Sequence, residues 1–368
     1  MGAGASGLFC ASKLKSKNII ILEQNESIAK KLLISGGGKC NITNENINKE
    51  HYLCDNYDIL DDTLNEFNYL DCLNEFNEIS FKKIRNKQFF APSSKLILDK
   101  ILKNIKAKIY LNTKVLSVTK EIDKFVIDTN KGKFNAKKLI VASGGISFAN
   151  LGVSDIALKI AKDFGIKHYP FLPALVPFTL QKDEFFMKNL SGISIDCSLN
   201  IGNKNFKGSL LFTHKSISGP VVLSSSLYWE KGKIIANFLN NFNINFNENK
   251  QASSVLPLPK SFVKEFLKAN NLDDKAMKNY NDIEKNIIKK LNHYDFSPAG
   301  NLGFNKAEVC KGGISLMELN KNYESRLQNG LFFIGECVNV TGELGGFNIH
   351  FAFASAMKVA KYLNNFKD

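Results

Sequence analysis

The first ten residues, MGAGASGLFC (1–10), set Gly2, Gly4 and Gly7 at the spacing G-x-G-x-x-G. Between a strand and a helix, that spacing makes a tight turn whose backbone N–H groups and positive helix end hold a pyrophosphate. Short glycine strings also arise by chance, so the pattern needs support from elsewhere. Glu23, which ends NIIILE (18–23), supplies it. An acid about 20 residues beyond the turn accepts hydrogen bonds from ribose hydroxyls. The ordinary alternative is a glycine turn with a surface glutamate at a strand end. The spacing predicts a helix over 5–16 and a buried parallel strand over 18–23. Only Met1 precedes the turn, where this architecture places a central strand. The expectation is therefore that the natural start lies upstream and that the first strand is truncated.

With 368 residues, 44% of them apolar and 23% charged, the chain has the composition of a globular protein of two or three domains. Its seven cysteines are scattered singly with no C-x-x-C pair, which predicts reduced thiols and a cytoplasmic protein, and argues against a disulfide reductase. No apolar run reaches the roughly 18 residues of a membrane helix. The net charge of +14 admits an anionic partner, but the lysines are spread along the chain in an asparagine- and isoleucine-rich background. Solvated surface charge is the ordinary reading, and a nucleic-acid partner is the less expected one.

Apolar spacing over 59–76 predicts one amphipathic helix with Ile59, Leu60, Leu64, Phe67, Leu70 and Phe76 on one face. A helix over 93–106 opens with Ser93 or Ser94 as its cap. Alternating runs from 108 to 136 predict a small antiparallel meander that feeds a buried strand over 138–142. Prolines at 170, 173 and 177 mark a boundary, and NGLFFIGE (329–336) reads as a further buried strand before an apolar C-terminal helix. The expected arrangement is a nucleotide-binding domain built from 1–170 and 307–368, interrupted by an inserted domain, 171–306.

SGGGKC (35–40) resembles a P-loop but lacks its first glycine and its Mg²⁺-binding hydroxyl; three successive glycines instead let a backbone approach a ligand closely. Cys40 is a weak catalytic candidate, since Lys39 beside it would lower the thiol's pKa; the alternative is a small buried hydrophobe. Gly144, Gly335 and Glu336 end two strands at the carboxyl edge of a parallel sheet, where such sheets bind ligands. Gly345 and Gly346 begin the last helix, whose positive end suits a reduced flavin. His214, beside the Ser-Gly-Pro turn 218–220, is a weak acid–base candidate or an ordinary loop histidine. The five histidines show no metal-binding spacing, and no second G-x-G-x-x-G offers a separate NAD(P) site.

The segments GAGASG, KKLLISGGGKCNITN, ASGG, PALVPF, FTHKSISGP and GLFFIGECVNVTGELGGFNIHFAFASA resemble the BaiN-like (YhiN-type) bacterial FAD-dependent flavoproteins over most of the chain. The resemblance implies an α/β fold, a glutathione-reductase-type FAD-binding Rossmann-like domain with an inserted β-rich and helical domain. It implies that Gly2, Gly4, Ala5, Ser6 and Gly7 hold the FAD pyrophosphate, Glu23 the ribose, and the Val115 backbone the adenine. Glu336 would meet the ribityl chain. Gly345, Gly346, Phe347 and Asn348 would face the flavin ring, with Gly37, Lys39 and Cys40 nearby. Two places depart from the pattern: LGVSD keeps only Asp155 of an expected Gly-Asp-Gly, and Ser216 stands where glycine is usual. The implied activity is that of an FAD oxidoreductase, linked to NAD(P)H and acting on a small molecule. The alternatives are an FAD-dependent RNA-modifying or RNA-binding protein, and a degenerate FAD fold kept as an interaction module.

Overall fold

The computed structural model describes residues 1–16, 18–84 and 87–366, and the chain forms two compact units. One joins Met1–Pro173 to the residues from Glu308 onward, and the other is Ala174–Ala307. Each has its own apolar core. Among the described residues, no helix is long and apolar enough to cross a membrane.

Two parallel strand pairs carry the first unit. Ile20–Leu22 runs beside Lys108–Tyr110, and Leu139–Val141 beside Leu331–Phe333. The strand expected over 18–23 is shorter than its apolar run, because its partner begins only at Lys108. Met1 and Gly2 lie between the pairs. The Gly2 N–H donates to Leu22 O at 2.8 Å, and the Ala142 N–H donates to Met1 O at 2.9 Å. The glycine turn thus sits at the carboxyl ends of both pairs, the ligand-binding edge of an open α/β sheet.

From that turn rises the helix Ala5–Lys13, which buries Leu8, Phe9, Cys10 and Ala11 and ends before the expected residue 16, where Leu14 turns extended. It packs on the C-terminal helix Phe347–Asn364, with the Phe9 and Phe353 rings 4.6 Å apart. An aromatic pair of this kind adds about 1 kcal/mol beyond its buried area. The C-terminal helix, mostly apolar around its circumference, is buried without a break from His350 to Ala360.

The apolar period over 59–76 predicts one helix, but two form, Tyr57–Glu66 and Tyr69–Glu75. Asn68 divides them. Its side chain accepts from the Leu70 and Asp71 N–H groups while the Asp71 carboxylate accepts from the Asn68 N–H, a reciprocal cap that outweighs helix continuation. Leu70, expected on the core face, is consequently exposed. Ser93 is the cap of Ser94–Leu102, accepting from the Lys95 N–H. The meander forms as Val115–Lys120, Phe125–Thr129 and Gly132–Ala136, all antiparallel. A small sheet of Asn41–Asn44, Gln88–Phe90 and Lys82–Ile84, in that spatial order, covers another side of this unit.

The second unit is built on an antiparallel sheet of seven strands, with helices at Pro220–Ser226, Lys260–Ala269 and Asp282–Lys289. Its longest hairpin pairs Ser194–Ile201 with Lys204–Phe212. Phe178, Phe212, Phe238, Phe262 and Phe266 are fully buried in its core.

Candidate functional site

The glycine turn is held by packing that leaves no room for side chains. A Cβ on Gly7 would lie 2.1 Å from Gly2 O, and one on Gly2 would lie 2.3 Å from Ala142 O. Gly4, by contrast, faces open space and caps the helix Ala5–Lys13 with no side-chain bond, so the first helical amides face outward. Glu23 is buried at the adjoining strand end. One carboxylate oxygen accepts from the Ala3 N–H at 2.8 Å and the other from the Asn25 N–H at 2.9 Å. Each oxygen keeps a further lone pair for a ligand hydroxyl. Turn and acid, 20 residues apart, are therefore one hydrogen-bonded unit. Thr113 N–H donates to Glu23 O at 2.7 Å, which brings Val115, buried at the start of the meander, to the same edge.

The strand ends around residues 142 and 334 meet this turn. A Cβ on Gly335 would fall 2.4 Å from Ser6 Oγ, and one on Gly144 would fall 3.7 Å from Glu336 Oε2. The Ser143 hydroxyl is buried here without a hydrogen-bond partner among the described residues. Glu336 is not free. Lys31 Nζ donates to both of its oxygens, at 2.7 and 2.8 Å, and also to Ser147 Oγ, while the Cys310 N–H donates to Glu336 Oε1 at 2.9 Å. No local pattern in the sequence singles out Lys31, one lysine among dozens whose partner lies 305 residues away.

In SGGGKC, Gly36, Gly37 and Gly38 all take left-handed backbone conformations, at φ +56°, +66° and +86°. The turn bares the Gly37 backbone, with open space where a side chain would stand. Lys39 is exposed, but Cys40 is fully buried. The expectation that Lys39 lowers the thiol's pKa is overturned: burial pushes it up to about 11 against a smaller opposing hydrogen bond from Ser35. Cys40 is a protonated core thiol at neutral pH. Cys40→Ser is expected to leave turnover near wild type; a rate near zero with FAD still bound would contradict this reading.

At the C-terminal helix, Gly345 and Gly346 have φ of +132° and +97° and lie against Asn44, Gln88 and Thr43. Asn44 Nδ2 donates to Gly345 O at 2.9 Å. The side chains of the next two residues turn inward. Phe347 is buried with its ring 4.7 Å from that of His51, and Asn348 clamps the loop, bonding both the N–H and C=O of Gly342 at 2.8 Å. Gly345 itself is buried and Gly346 half-buried. His350 lies deeper, between Thr43 Oγ1 at 2.8 Å and Phe67 O at 2.9 Å. Burial lowers its pKa to about 4, against smaller raising effects from Phe67 O and Asp71, so it is a neutral structural histidine.

His214 belongs to the second unit and is exposed in the turn Thr213–Ser216, which is closed by Thr213 Oγ1 and Ser216. Among the described residues, no three His, Cys, Asp or Glu side chains form a metal-binding group.

The elements gathered in the first unit fit FAD. A bare helix N-terminus and a buried carboxylate with spare lone pairs line one edge, and an orphaned Ser143 hydroxyl lies beside the turn. Comparison with known proteins agrees. A family model described as "HI0933-like protein Rossmann domain" matches residues 1–362. The chain is 34% identical to the "Ribosomal RNA dihydrouridine synthase" of Haemophilus influenzae, over 98% of this chain and 96% of that protein. It is 32% identical to the protein of the same name from Escherichia coli, over 99% and 96%. It is 27% identical to the "3-dehydro-bile acid delta(4,6)-reductase" of Clostridium scindens, over 96% of each. The chain belongs to the HI0933-like family of FAD-dependent oxidoreductases with a Rossmann domain.

Proposed function

We propose that this protein reduces the C5–C6 double bond of uridine in ribosomal RNA, with NAD(P)H as the reductant. The observation that carries the reading is near-full-length similarity to two proteins named for ribosomal RNA dihydrouridine synthesis, each at 32% identity or more. The more distant relative is named for a reduction of related kind, since a 3-oxo Δ4,6 diene and uridine both hold a C=C bond conjugated to a carbonyl. The net charge of +14, read from sequence as surface charge, gains a use: an RNA substrate is a polyanion. The expectation of a small-molecule substrate becomes the second reading, favoured only by the bile-acid relative.

A bound FAD would supply hydride chemistry at a site shaped by the protein. The amides of residues 4–7 would hold the pyrophosphate, Glu23 the adenosine ribose, and the backbone of Val115 the adenine. Ser6 and Gly335 bring the turn against the neighbouring strand end, and the positive end of the helix would there favour the anionic part of the cofactor. Lys31 fixes the Glu336 carboxylate at the strand edge, beside Gly144. The Gly345–Gly346 backbone at the start of a long helix would stabilise negative charge on the reduced ring. The overall step adds a hydride to uridine C6 and a proton to C5, with NAD(P)H oxidised to NAD(P)⁺.

Glu23→Ala is expected to weaken FAD binding at least tenfold, since hydrogen bonds to a charged acceptor contribute about 1.5–3 kcal/mol. Titration of the apoprotein by flavin-fluorescence quenching measures this, and an unchanged affinity would contradict the assignment. The function itself is tested with the FAD-loaded protein, NADPH or NADH, and unmodified ribosomal RNA transcripts under anaerobic conditions, followed by nucleoside mass spectrometry. Dihydrouridine is the expected product. NAD(P)H oxidation by the flavin with no dihydrouridine on any transcript would overturn the reading.

A further inference from the structure

Between Ile79 and Pro92 the sequence carries Lys82, Lys83, Arg85 and Lys87 and no acid. Lys82–Ile84 is the edge strand of the three-stranded sheet and pairs antiparallel with Gln88–Phe90. Its far neighbour, Asn41–Asn44, lies against the Gly345–Gly346 loop. Gln88 reaches the same loop, with Nε2 3.3 Å from the position a Cβ of Gly345 would take. The edge strand is thus two strand spacings, about 10 Å, from that loop. The glycine turn closes the other flank: Phe90 lies 3.1 Å from the Cβ position of Gly36, and the Ala91 N–H donates to Cys40 O at 3.1 Å, beside exposed Lys39.

The charges of this hairpin are only partly answered within the protein. Lys83 pairs with Glu45 at 2.7 Å, whereas Lys82, Lys87 and Lys39 are exposed. An exposed edge strand rich in lysine also resists pairing with other strands, which keeps it open as a surface.

We infer that the edge strand Lys82–Ile84, with Lys87 and Lys39, is the strip that binds the phosphate backbone of the RNA and leads it past the Gly345–Gly346 loop. The inference rests on the RNA reading above and adds where the polyanion lies. Phosphate contacts set register without reading sequence, so selection of the target uridine falls to other residues.

The test compares the FAD-loaded double variant Lys82→Glu/Lys87→Glu with Lys133→Glu/Lys137→Glu, which makes the same charge change on the meander side of the same unit. Filter binding of in-vitro-transcribed ribosomal RNA is measured across a salt series. The hairpin variant is expected to lose about tenfold or more in affinity and to flatten the log–log salt dependence by about one to two. The meander variant should stay near wild type, and NAD(P)H-driven flavin reduction should be unchanged in both. Equal losses in the two variants, or none in either, overturn the strip. If wild-type protein reduces uridine while the hairpin variant binds RNA normally, the strip alone fails. If wild type neither binds nor reduces the transcripts, the RNA reading fails and the strip with it.

Discussion

Gly7→Ala is expected to yield protein that takes up no FAD. The added methyl would stand 2.1 Å from Gly2 O, well inside contact distance and against backbone rather than a movable side chain. Gly2 cannot retreat, because its own N–H is bonded to Leu22 O and Ala142 lies directly behind it. The turn must therefore open, which moves the helix N-terminus away from the Ala3–Glu23 bond. Overpacking of this kind costs about 1–3 kcal/mol, and misplaced amides add a loss of anion binding to it. Purified Gly7→Ala protein should be colourless, with a melting temperature several degrees lower. Gly4→Ala, whose added methyl would meet no protein atom within 4 Å, is the paired control and should still bind FAD more tightly than Gly7→Ala. Yellow Gly7→Ala protein with normal flavin content would contradict the turn's assignment.

The second large effect is on acid stability. His350 is fully buried and its pKa is lowered from 6.5 to about 4, chiefly because burial disfavours the charged ring. Unfolded chains take up the proton first as pH falls. The stability that depends on neutral His350 is fully present above about pH 6.5 and is lost progressively as pH falls toward 4. A shift of this size corresponds to about 3 kcal/mol. Urea midpoints should fall steeply across that window. His350→Asn is expected to be less stable at pH 7, since the Thr43 and Phe67 O bonds are disturbed, but to lose most of the slope between pH 6.5 and 4. A wild-type midpoint that stays flat over this range would contradict the buried neutral state.

How far the sequence reveals the site depends on how local each signal is. Gly2, Gly7 and Glu23 are readable because a turn, a helix start and a strand-end acid fall within 23 residues, at spacing fixed by the geometry of one βαβ unit. The strand ends at Gly144 and Gly335 are readable from apolar runs that stop in glycine. Lys31 is not, because its meaning lies in a carboxylate reached only through tertiary structure. Cys40 shows the converse failure. Its neighbour in sequence suggests activation, but burial, which the sequence does not display, decides the thiol's state. Likewise the apolar period over 59–76 hides the break at Asn68, where a reciprocal cap wins over amphipathic continuity. Phe347 and Asn348 begin the helix at the expected edge, yet their side chains serve the loop and the core.

The central claim is that uridine in RNA is the electron acceptor of a flavin held at this edge. The most direct measurement is a single-turnover experiment on anaerobic, FAD-loaded protein reduced with a stoichiometric amount of NAD(P)H. Addition of unmodified ribosomal RNA transcript should restore the oxidised-flavin spectrum, with one dihydrouridine formed per flavin reoxidised. A spectrum that stays reduced with the transcript but recovers with a small conjugated enone would contradict the account.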